Sequence, residues 1–177
     1  MANIAIMGSG AFGTALASVC QRCGHQVSVW SRSPAELQKS GDFLCHKKLP
    51  NIEISEEITF STELSCIADS ELLILALPSF AIRENCRKIR ELISPETILL
   101  CAAKGLEKGT FKDFVNVIEE ELPNNPCVAL SGPSFAAEIA KGIPTTVVAA
   151  SRNREAADKV QDLLMDKTLR IYVSDDV

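Results

Sequence analysis

Several classes of protein need residues or patterns of which this chain has very little. It contains two histidines among 177 residues, and aromatic residues make up 5% of the total. A metal site needs several ligands close together, and His25 and His46 are too few and too scattered to supply them. We therefore expect no bound metal ion.

Long apolar runs and an export signal are also missing. No apolar stretch approaches the ~18 residues that a membrane-spanning helix requires. The N-terminus, MANIAIMGSG, has no basic segment before its apolar run, and glycines end that run early. A signal peptide would need both a basic segment and a longer apolar region. We expect a cytoplasmic protein without a membrane partner.

Positive charge is in the minority. The chain has 18 Lys and Arg against 23 Asp and Glu, which gives a formal net charge of −5. A nucleic-acid surface usually carries a basic stripe or patch, and no basic stripe with interleaved aromatic residues occurs here. We therefore expect no nucleic-acid partner.

The seven cysteines are scattered and odd in number. Without a signal peptide, this pattern favours free thiols in a reducing compartment. Cys20-Gln21-Arg22-Cys23 has the CxxC spacing of redox motifs, but it falls at the end of the first predicted helix. A reactive CxxC lies at a helix N-terminus, where the dipole lowers the pKa of a thiol. We therefore interpret these cysteines as structural.

The clearest pattern in the chain runs from residue 3 to residue 32. An apolar run, 4–7, ends at Gly8-Ser9-Gly10-Ala11-Phe12-Gly13, a helical pattern follows, and 27–30 resumes an extended run. A strand, a glycine turn, a helix and a second strand in this order are typical of a dinucleotide-binding site. Gly8 permits the tight turn, Gly10 lets a pyrophosphate approach the backbone, and Gly13 lets the helix pack on the strand.

Further apolar runs without alternation predict strands that are buried on both faces. They span 72–77, 97–101 and 127–130, and two more strands are predicted over 145–150 and 169–173. Helical patterns separate them, including 80–93, a helix starting within 131–138 and a short helix starting at Ser33-Pro34-Ala35-Glu36. This alternation predicts an α/β fold, a Rossmann-type doubly wound and mostly parallel sheet with helices on both faces, as one domain over 1–177. The loops at the carboxyl ends of its strands should line one crevice.

The end of the second strand bears on cofactor choice. NAD-binding sites usually place an Asp or Glu about 20 residues after the glycines to hold the ribose 2′-OH, and this chain has Ser31 and Arg32 there. Without a carboxylate, a 2′-phosphate is not repelled, and Arg32 is able to pair with it. The alternatives are a site that tolerates or prefers NADP, or a solvated surface arginine. Phe12 either lies against the pyrophosphate or packs under the turn.

Two further loops are candidates for binding anions. Lys104 follows a buried strand at the mouth of the crevice, where its ammonium group suits a phosphate or a carbonyl oxygen; the alternative is a surface lysine beside a glycine turn. Ser131-Gly132-Pro133-Ser134 also follows a strand, and as a helix N-terminus it would form a second anion site; ordinary capping is the alternative. Arg83, one helical turn after Pro78-Ser79, either faces the crevice or pairs on the surface.

At these residues the chain resembles the bacterial-type NAD(P)-dependent glycerol-3-phosphate dehydrogenases. The similar stretches occur in the family's order and spacing: GSGAFGTALA from Gly8, VWSR from Val29, LPS from Leu77, AKGLE from Ala103 and SGPSFA from Ser131. The first stretch is shared by many dehydrogenases. The combination of Lys-Gly-Leu-Glu with Ser-Gly-Pro-Ser-Phe-Ala is much more specific.

The resemblance implies a function and a set of contacts. The function is reduction of dihydroxyacetone phosphate to sn-glycerol 3-phosphate by NADPH or NADH, feeding phospholipid synthesis. The implied cofactor contacts are Ala11, Phe12, Arg32, Lys104 and Ala136, beside Gly8, Gly10, Gly13 and Ser31 of the crevice. The implied substrate contacts are Lys104, Gly132 and Ser134. Ala11 stands where the family usually has serine, a change that should cost little because backbone N–H groups hold the phosphates.

The resemblance also implies a helical substrate domain beyond residue 177, which carries the family's proton-transferring lysine. Reduction of a ketone needs a proton donor near its oxygen, and we find no catalytic replacement within 1–177. We therefore expect this domain alone to bind the dinucleotide with little or no turnover. A homodimer stays open. The alternatives are a reductase of another small phosphorylated or carboxylated carbonyl compound, or a non-catalytic dinucleotide sensor.

Overall fold

Strands and helices alternate along most of the chain. The computed structural model describes residues 1–33, 35–41 and 43–177. Its strands are β1 (Asn3–Met7), β2 (Gln26–Trp30), β3 (Leu37–Ser40), β4 (Phe43–His46), β5 (Thr59–Ser61), β6 (Leu72–Leu75), β7 (Ile98–Cys101), β8 (Cys127–Ser131), β9 (Thr145–Ala150) and β10 (Leu169–Ser174). Its α-helices are α1 (Ala11–Arg22), α2 (Ile82–Ile89), α3 (Phe114–Glu121), α4 (Ala136–Ala140) and α5 (Arg154–Leu164).

The main sheet has eight strands in the order β10-β9-β8-β7-β6-β1-β2-β5. The six strands from β8 to β5 in this order are mutually parallel. β9 runs antiparallel to β8, and β10 is parallel to β9. The carboxyl ends of six strands therefore lie along one edge, as the mostly parallel sheet predicted from the sequence requires.

Helices cover both faces of this sheet. Successive residues of β1 alternate between two cores: Ile4 and Ile6 belong to one, with α1 and α5, while Ala5 and Met7 belong to the other, with α2 and α3. All four side chains are almost completely buried. Strands buried on both faces need apolar residues throughout, which explains the uninterrupted apolar runs. The doubly wound α/β prediction is confirmed.

The prediction for the segment after β2 is wrong. Instead of a short helix, residues 37–40 form β3, which pairs antiparallel with β4 in a separate two-stranded sheet. Pro34, the predicted first helical residue, lies outside the described residues. Cys45, Leu49 and Ile54 near this hairpin are buried. Because the local sequence favours neither helix nor strand strongly, this burial determines the conformation of the segment.

The helix predicted over 80–93 is shorter in the structure. A single 3-10 turn, Ser79–Ala81, precedes α2, and the helix ends at Ile89. Its buried residues include Ile82, Cys86 and Ile89, the spacing that the sequence indicated. No helix among the described residues is both long and apolar enough to cross a membrane.

Candidate functional site

Backbone hydrogen bonds bring three loops together at the carboxyl edge of the sheet. The Gly8 N–H donates to the Trp30 carbonyl at 2.8 Å, and the Ala76 N–H donates to the Met7 carbonyl at 2.9 Å. The Ala102 N–H in turn donates to the Leu75 carbonyl at 3.1 Å. These bonds continue the strand ladders by one residue, so the loops after β1, β6 and β7 begin side by side. These are three of the loops from which the sequence predicts a crevice.

The three glycines of the turn have different surroundings. A Cβ on Gly8 would lie 2.3 Å from the Ala76 carbonyl oxygen, and Gly8 has a φ of +117°. A Cβ on Gly13 would lie 1.9 Å from the Gly8 carbonyl oxygen, whereas a Cβ on Gly10 would meet no heavy atom within 4 Å. Gly8 and Gly13 are therefore required by packing. Gly10 instead leaves an open face, which fits the close approach of a pyrophosphate.

The N-terminus of α1 adjoins that open face. Gly10 is the N-cap, and it supplies no side-chain hydrogen bond to the helix. The first turn contains no acidic residue, and the Thr14 N–H to Gly10 carbonyl bond, at 2.9 Å, begins the helical pattern. The first N–H groups of a helix lack partners within it and carry the positive end of its dipole. This end of α1 is therefore suited to phosphate groups.

Ser31 and Arg32 directly follow β2 at the same edge. The Ser31 N–H donates to the Ser61 carbonyl at 3.1 Å, which anchors the start of the loop. Arg32 is exposed, and among the described residues it forms no ion pair. The pKa of Glu84, at the start of α2, is lowered mainly by a hydrogen bond from Lys88, and the charge of Arg32 lowers it further. Arg32 therefore lies near the start of α2 with its guanidinium accessible.

Lys104 lies in the loop after β7. Its side chain is exposed, and it has no carboxylate partner among the described residues. The loop leaves the sheet at Ala102 and turns back at Leu106, which forms an isolated bridge with Asp113. The ammonium group of Lys104 is thus available at the edge that carries the glycine turn.

The second proposed anion loop differs from the prediction. The helix starts at Ala136, within the predicted range 131–138 but after Ser131–Ser134, so that turn is not the helix N-terminus expected there; the helix has only five residues. Ser131 ends β8, and a turn follows in which the Ser134 hydroxyl donates to the Gly132 carbonyl at 3.3 Å. A Cβ on Gly132 would lie 3.0 Å from the Thr146 carbonyl oxygen. This turn therefore packs tightly against β9, and it does not cap α4, whose N-cap is Phe135.

Two alternatives left open by the sequence are decided by contacts. Phe12 is half-buried and packs against the hydrophobic core that contains α1, so packing under the turn is the better description. Arg83 does not face the crevice. Its guanidinium donates instead to three carboxylates, those of Glu107, Glu120 and Glu121.

His46 is a residue near the site that sequence reasoning missed. It is 1% exposed, and its Nδ1 accepts a hydrogen bond from the Lys48 N–H at 3.1 Å. Burial lowers the pKa of His46, while a hydrogen bond to the Ser9 backbone and the charge of Glu36 oppose that effect. The imidazole therefore lies against the glycine turn. No spacing in the sequence links it to Ser9, because the contact is made by the β3–β4 hairpin.

A separate cleft of about 750 Å³ opens at the other edge of the sheet. Its lining includes Asn3 and Gln26, the first residues of β1 and β2, together with Gly24 and Asp69. Ligands of open α/β sheets bind outside the carboxyl ends of the strands. This amino-edge cleft lies at the opposite ends of the strands from the proposed crevice, so it is not where a dinucleotide is expected to bind.

The family described as NAD-dependent glycerol-3-phosphate dehydrogenase N-terminus matches residues 3–157. The glycerol-3-phosphate dehydrogenase [NAD(P)+] of Desulfitobacterium hafniense is 40% identical over 181 residues, which cover 99% of this chain and 50% of the relative. That of Clostridium acetobutylicum is 40% identical over 179 residues, covering 100% of this chain and 54% of the relative.

Solved structures show the same likeness. The glycerol-3-phosphate dehydrogenase of Coxiella burnetii superposes with a TM-score of 0.88 at 30% identity, covering 99% of this chain and 55% of that one. The chain thus spans about half the length of the relatives that it matches. On the strength of the match over residues 3–157, the chain belongs to the NAD-dependent glycerol-3-phosphate dehydrogenase family and corresponds to its N-terminal part.

Proposed function

We propose that these 177 residues bind NADPH or NADH in the carboxyl-edge crevice, as the cofactor-binding part of a dehydrogenase that reduces dihydroxyacetone phosphate to sn-glycerol 3-phosphate. The observation that carries the proposal is the open face at Gly10, where a Cβ would meet nothing within 4 Å, beside the uncapped N-terminus of α1. When bound, the reduced nicotinamide supplies the hydride. The residues of this chain would bind and orient the cofactor and place positive charge near its phosphates.

The cofactor phosphates and ribose would be held by the turn and by the end of β2. The backbone N–H groups of Ala11 and Phe12 suit the pyrophosphate, because they belong to the first turn of α1. Arg32, exposed after β2, suits a 2′-phosphate, and Ser31 adjoins it. Ala136, at the start of α4, adjoins the turn after β8, and together with the exposed Lys104 after β7 it completes the proposed set of cofactor contacts.

The substrate would lie between the loops that follow β7 and β8. Besides its contact with the cofactor, Lys104 is the proposed partner of the substrate's phosphate or carbonyl oxygen, since an ammonium group favours negative charge at either atom. Gly132 and Ser134 are the proposed contacts on the other side. The Ser134 hydroxyl makes only a 3.3 Å bond within the turn, so exchanging it for a bond to the substrate would cost little.

The reaction itself is proposed for the protein as a whole, because the chain spans about half the length of its relatives. Its product would serve phospholipid synthesis. The seven cysteines are free, which supports a reducing, cytoplasmic compartment. Dinucleotide binding is the part of the proposal that is directly measurable on these 177 residues.

Parallel fluorescence titrations of the chain with NADPH and NADH test this proposal. We expect both to bind, and we expect Arg32→Ala to weaken NADPH binding about tenfold, as the loss of a charge-assisted hydrogen bond would. NADH binding should hardly change. Arg170→Ala, an exposed arginine on β10 at the far end of the sheet, is the matched control. Failure of the wild-type chain to bind either dinucleotide would contradict the proposal.

A further inference from the structure

An ion-pair network joins α2 to α3 and to the loop after β7. Arg83 donates to Glu107 through two bonds of 2.8 Å, from Nε to Oε1 and from Nη2 to Oε2. The same guanidinium donates to Glu121 at 2.6 Å and to Glu120 at 2.9 Å. Such paired bonds fix orientation as well as distance. Arg83 is therefore held between the loop and α3.

The network is partly shielded from solvent. The side chains of Arg83, Glu107 and Glu121 are 21%, 17% and 8% exposed. Arg87 and Arg90 also bind Glu121, so its carboxylate does not depend on Arg83 alone. Hydrogen bonds from Arg83 and then Thr110 lower the pKa of Glu107 to about 2. Glu107 is therefore ionised throughout the neutral range, and its bond to Arg83 is continuously available.

Glu107 lies three residues after Lys104 and fixes the downstream end of that loop. Its N–H donates to the Lys112 carbonyl at 2.8 Å, and its carbonyl accepts from the Phe111 N–H at 2.9 Å. The upstream end is fixed at Ala102, whose N–H continues the ladder to β6. The segment between the two anchors has only four residues: Ala103, Lys104, Gly105 and Leu106. A displacement of Glu107 is therefore expected to change the position of Lys104.

We propose that Arg83, acting through the carboxylate of Glu107, is a positioning residue for Lys104 in the crevice. Arg83 starts from α2, which follows the loop after β6, and reaches the loop after β7. It therefore ties the first turn of α2 to the loop that carries Lys104. This role rests on the proposed function, in which Lys104 contacts the bound ligand. A purely structural pair would stabilise the fold without affecting the ligand affinity of the folded protein.

Glu107→Gln and Glu120→Gln form a matched pair of variants. Both remove one carboxylate that Arg83 binds, but only Glu107 belongs to the Lys104 loop. We expect Glu107→Gln to weaken NADPH binding about fivefold, within the range of coupling between residues of one hydrogen-bonded network. Glu120→Gln should bind like the wild type. Arg83→Lys keeps the charge but cannot make the paired bonds of the guanidinium to Glu107, so it should behave like Glu107→Gln.

A double-mutant cycle with Lys104→Ala separates positioning from general damage. If Arg83 and Glu107 act through Lys104, Glu107→Gln should cause no further loss of NADPH affinity in the Lys104→Ala background. Thermal unfolding of each variant, followed by circular dichroism, verifies that binding is measured on folded protein.

Two failures are distinguishable in this cycle. Absence of NADPH binding by the wild type, or wild-type affinity in Lys104→Ala, would overturn the proposed function at this residue and with it the positioning role. A loss in Lys104→Ala with equal affinities in Glu107→Gln and Glu120→Gln would overturn the positioning role alone. So would an undiminished effect of Glu107→Gln when Lys104 is absent.

Discussion

The carbonyl oxygen of Gly8 occupies the place that a side chain on Gly13 would need. A Cβ built on Gly13 would lie 1.9 Å from that oxygen, well inside any tolerated contact. The strand end that carries Gly8 and the helix that carries Gly13 are therefore in direct contact. This contact lets α1 begin immediately at the edge of the sheet, and it sets the position of the N–H groups proposed to hold the pyrophosphate.

The three glycines should respond differently to alanine. Gly13→Ala and Gly8→Ala should destabilise the fold, each by more than the ~1–3 kcal/mol typical of overpacking, because the obstacle is backbone rather than a movable side chain. Gly10→Ala should unfold at nearly the wild-type temperature yet lose affinity for NADPH. Thermal unfolding and dinucleotide titration of the same three variants measure both effects. A Gly10→Ala variant with full NADPH affinity would remove the phosphate role from this turn.

The stability of the chain should depend on pH through His46. Burial lowers the pKa of this imidazole below its usual value, so the unfolded chain takes up a proton at a higher pH than the folded one. The contribution is therefore fully present above about pH 6.5, the usual histidine pKa, and is lost as pH falls toward the folded value. Glu36 and Lys48 are the charges that act on the ring in the folded state.

Urea unfolding between pH 5 and pH 7 measures this dependence, with His46→Asn as the comparison. Asparagine offers an oxygen near the place of Nδ1, so the bond from the Lys48 N–H is able to persist. We expect the unfolding free energy of the variant to fall less steeply below neutral pH than that of the wild type. Identical slopes for the two proteins would show that His46 does not carry it.

The cysteines should behave as structural thiols. Five are buried, and Cys23 and Cys66 are half-buried. Burial raises the pKa of the Cys20 thiol, and burial followed by the charge of Asp166 raises that of Cys23. A raised pKa leaves little thiolate to react. In the folded chain at neutral pH, a thiol reagent should therefore label Cys23 and Cys66 slowly and the others only after denaturation.

Rapid labelling of Cys20, or a Cys20–Cys23 disulfide under mild oxidation, would contradict this interpretation. The variant Cys23→Ser provides the control, since its loss of one slow labelling phase assigns that phase.

The sequence was sufficient to predict the segment from β1 to β2. Its glycines and its change from apolar run to helical period are local signals, and the structure places Gly8, Gly10 and Gly13 in the environments that they imply. The strands β6 and β7 could likewise be predicted, because burial on both faces leaves an uninterrupted apolar run. The direction of β9 was not visible, since periodicity carries no information about parallel or antiparallel pairing.

Other features depend on contacts distant in sequence. Leu37-Gln38-Lys39-Ser40 has no strand pattern, and it becomes β3 only through pairing with 43–46. The partners of Arg83 lie 24 or more residues away, so the sequence left its orientation open. The same holds for His46, which reaches the glycine turn from the β3–β4 hairpin.

The most direct test of the account is to locate the bound dinucleotide by NMR. Amide spectra of the ¹⁵N-labelled chain would be recorded during titration with NADPH, with assigned signals at both edges of the sheet. We predict the largest shifts at Gly10, Phe12 and Arg32, with little change at Gly24 or Asp69 in the amino-edge cleft. Shifts confined to the amino-edge cleft, or none at the glycine turn, would contradict the account.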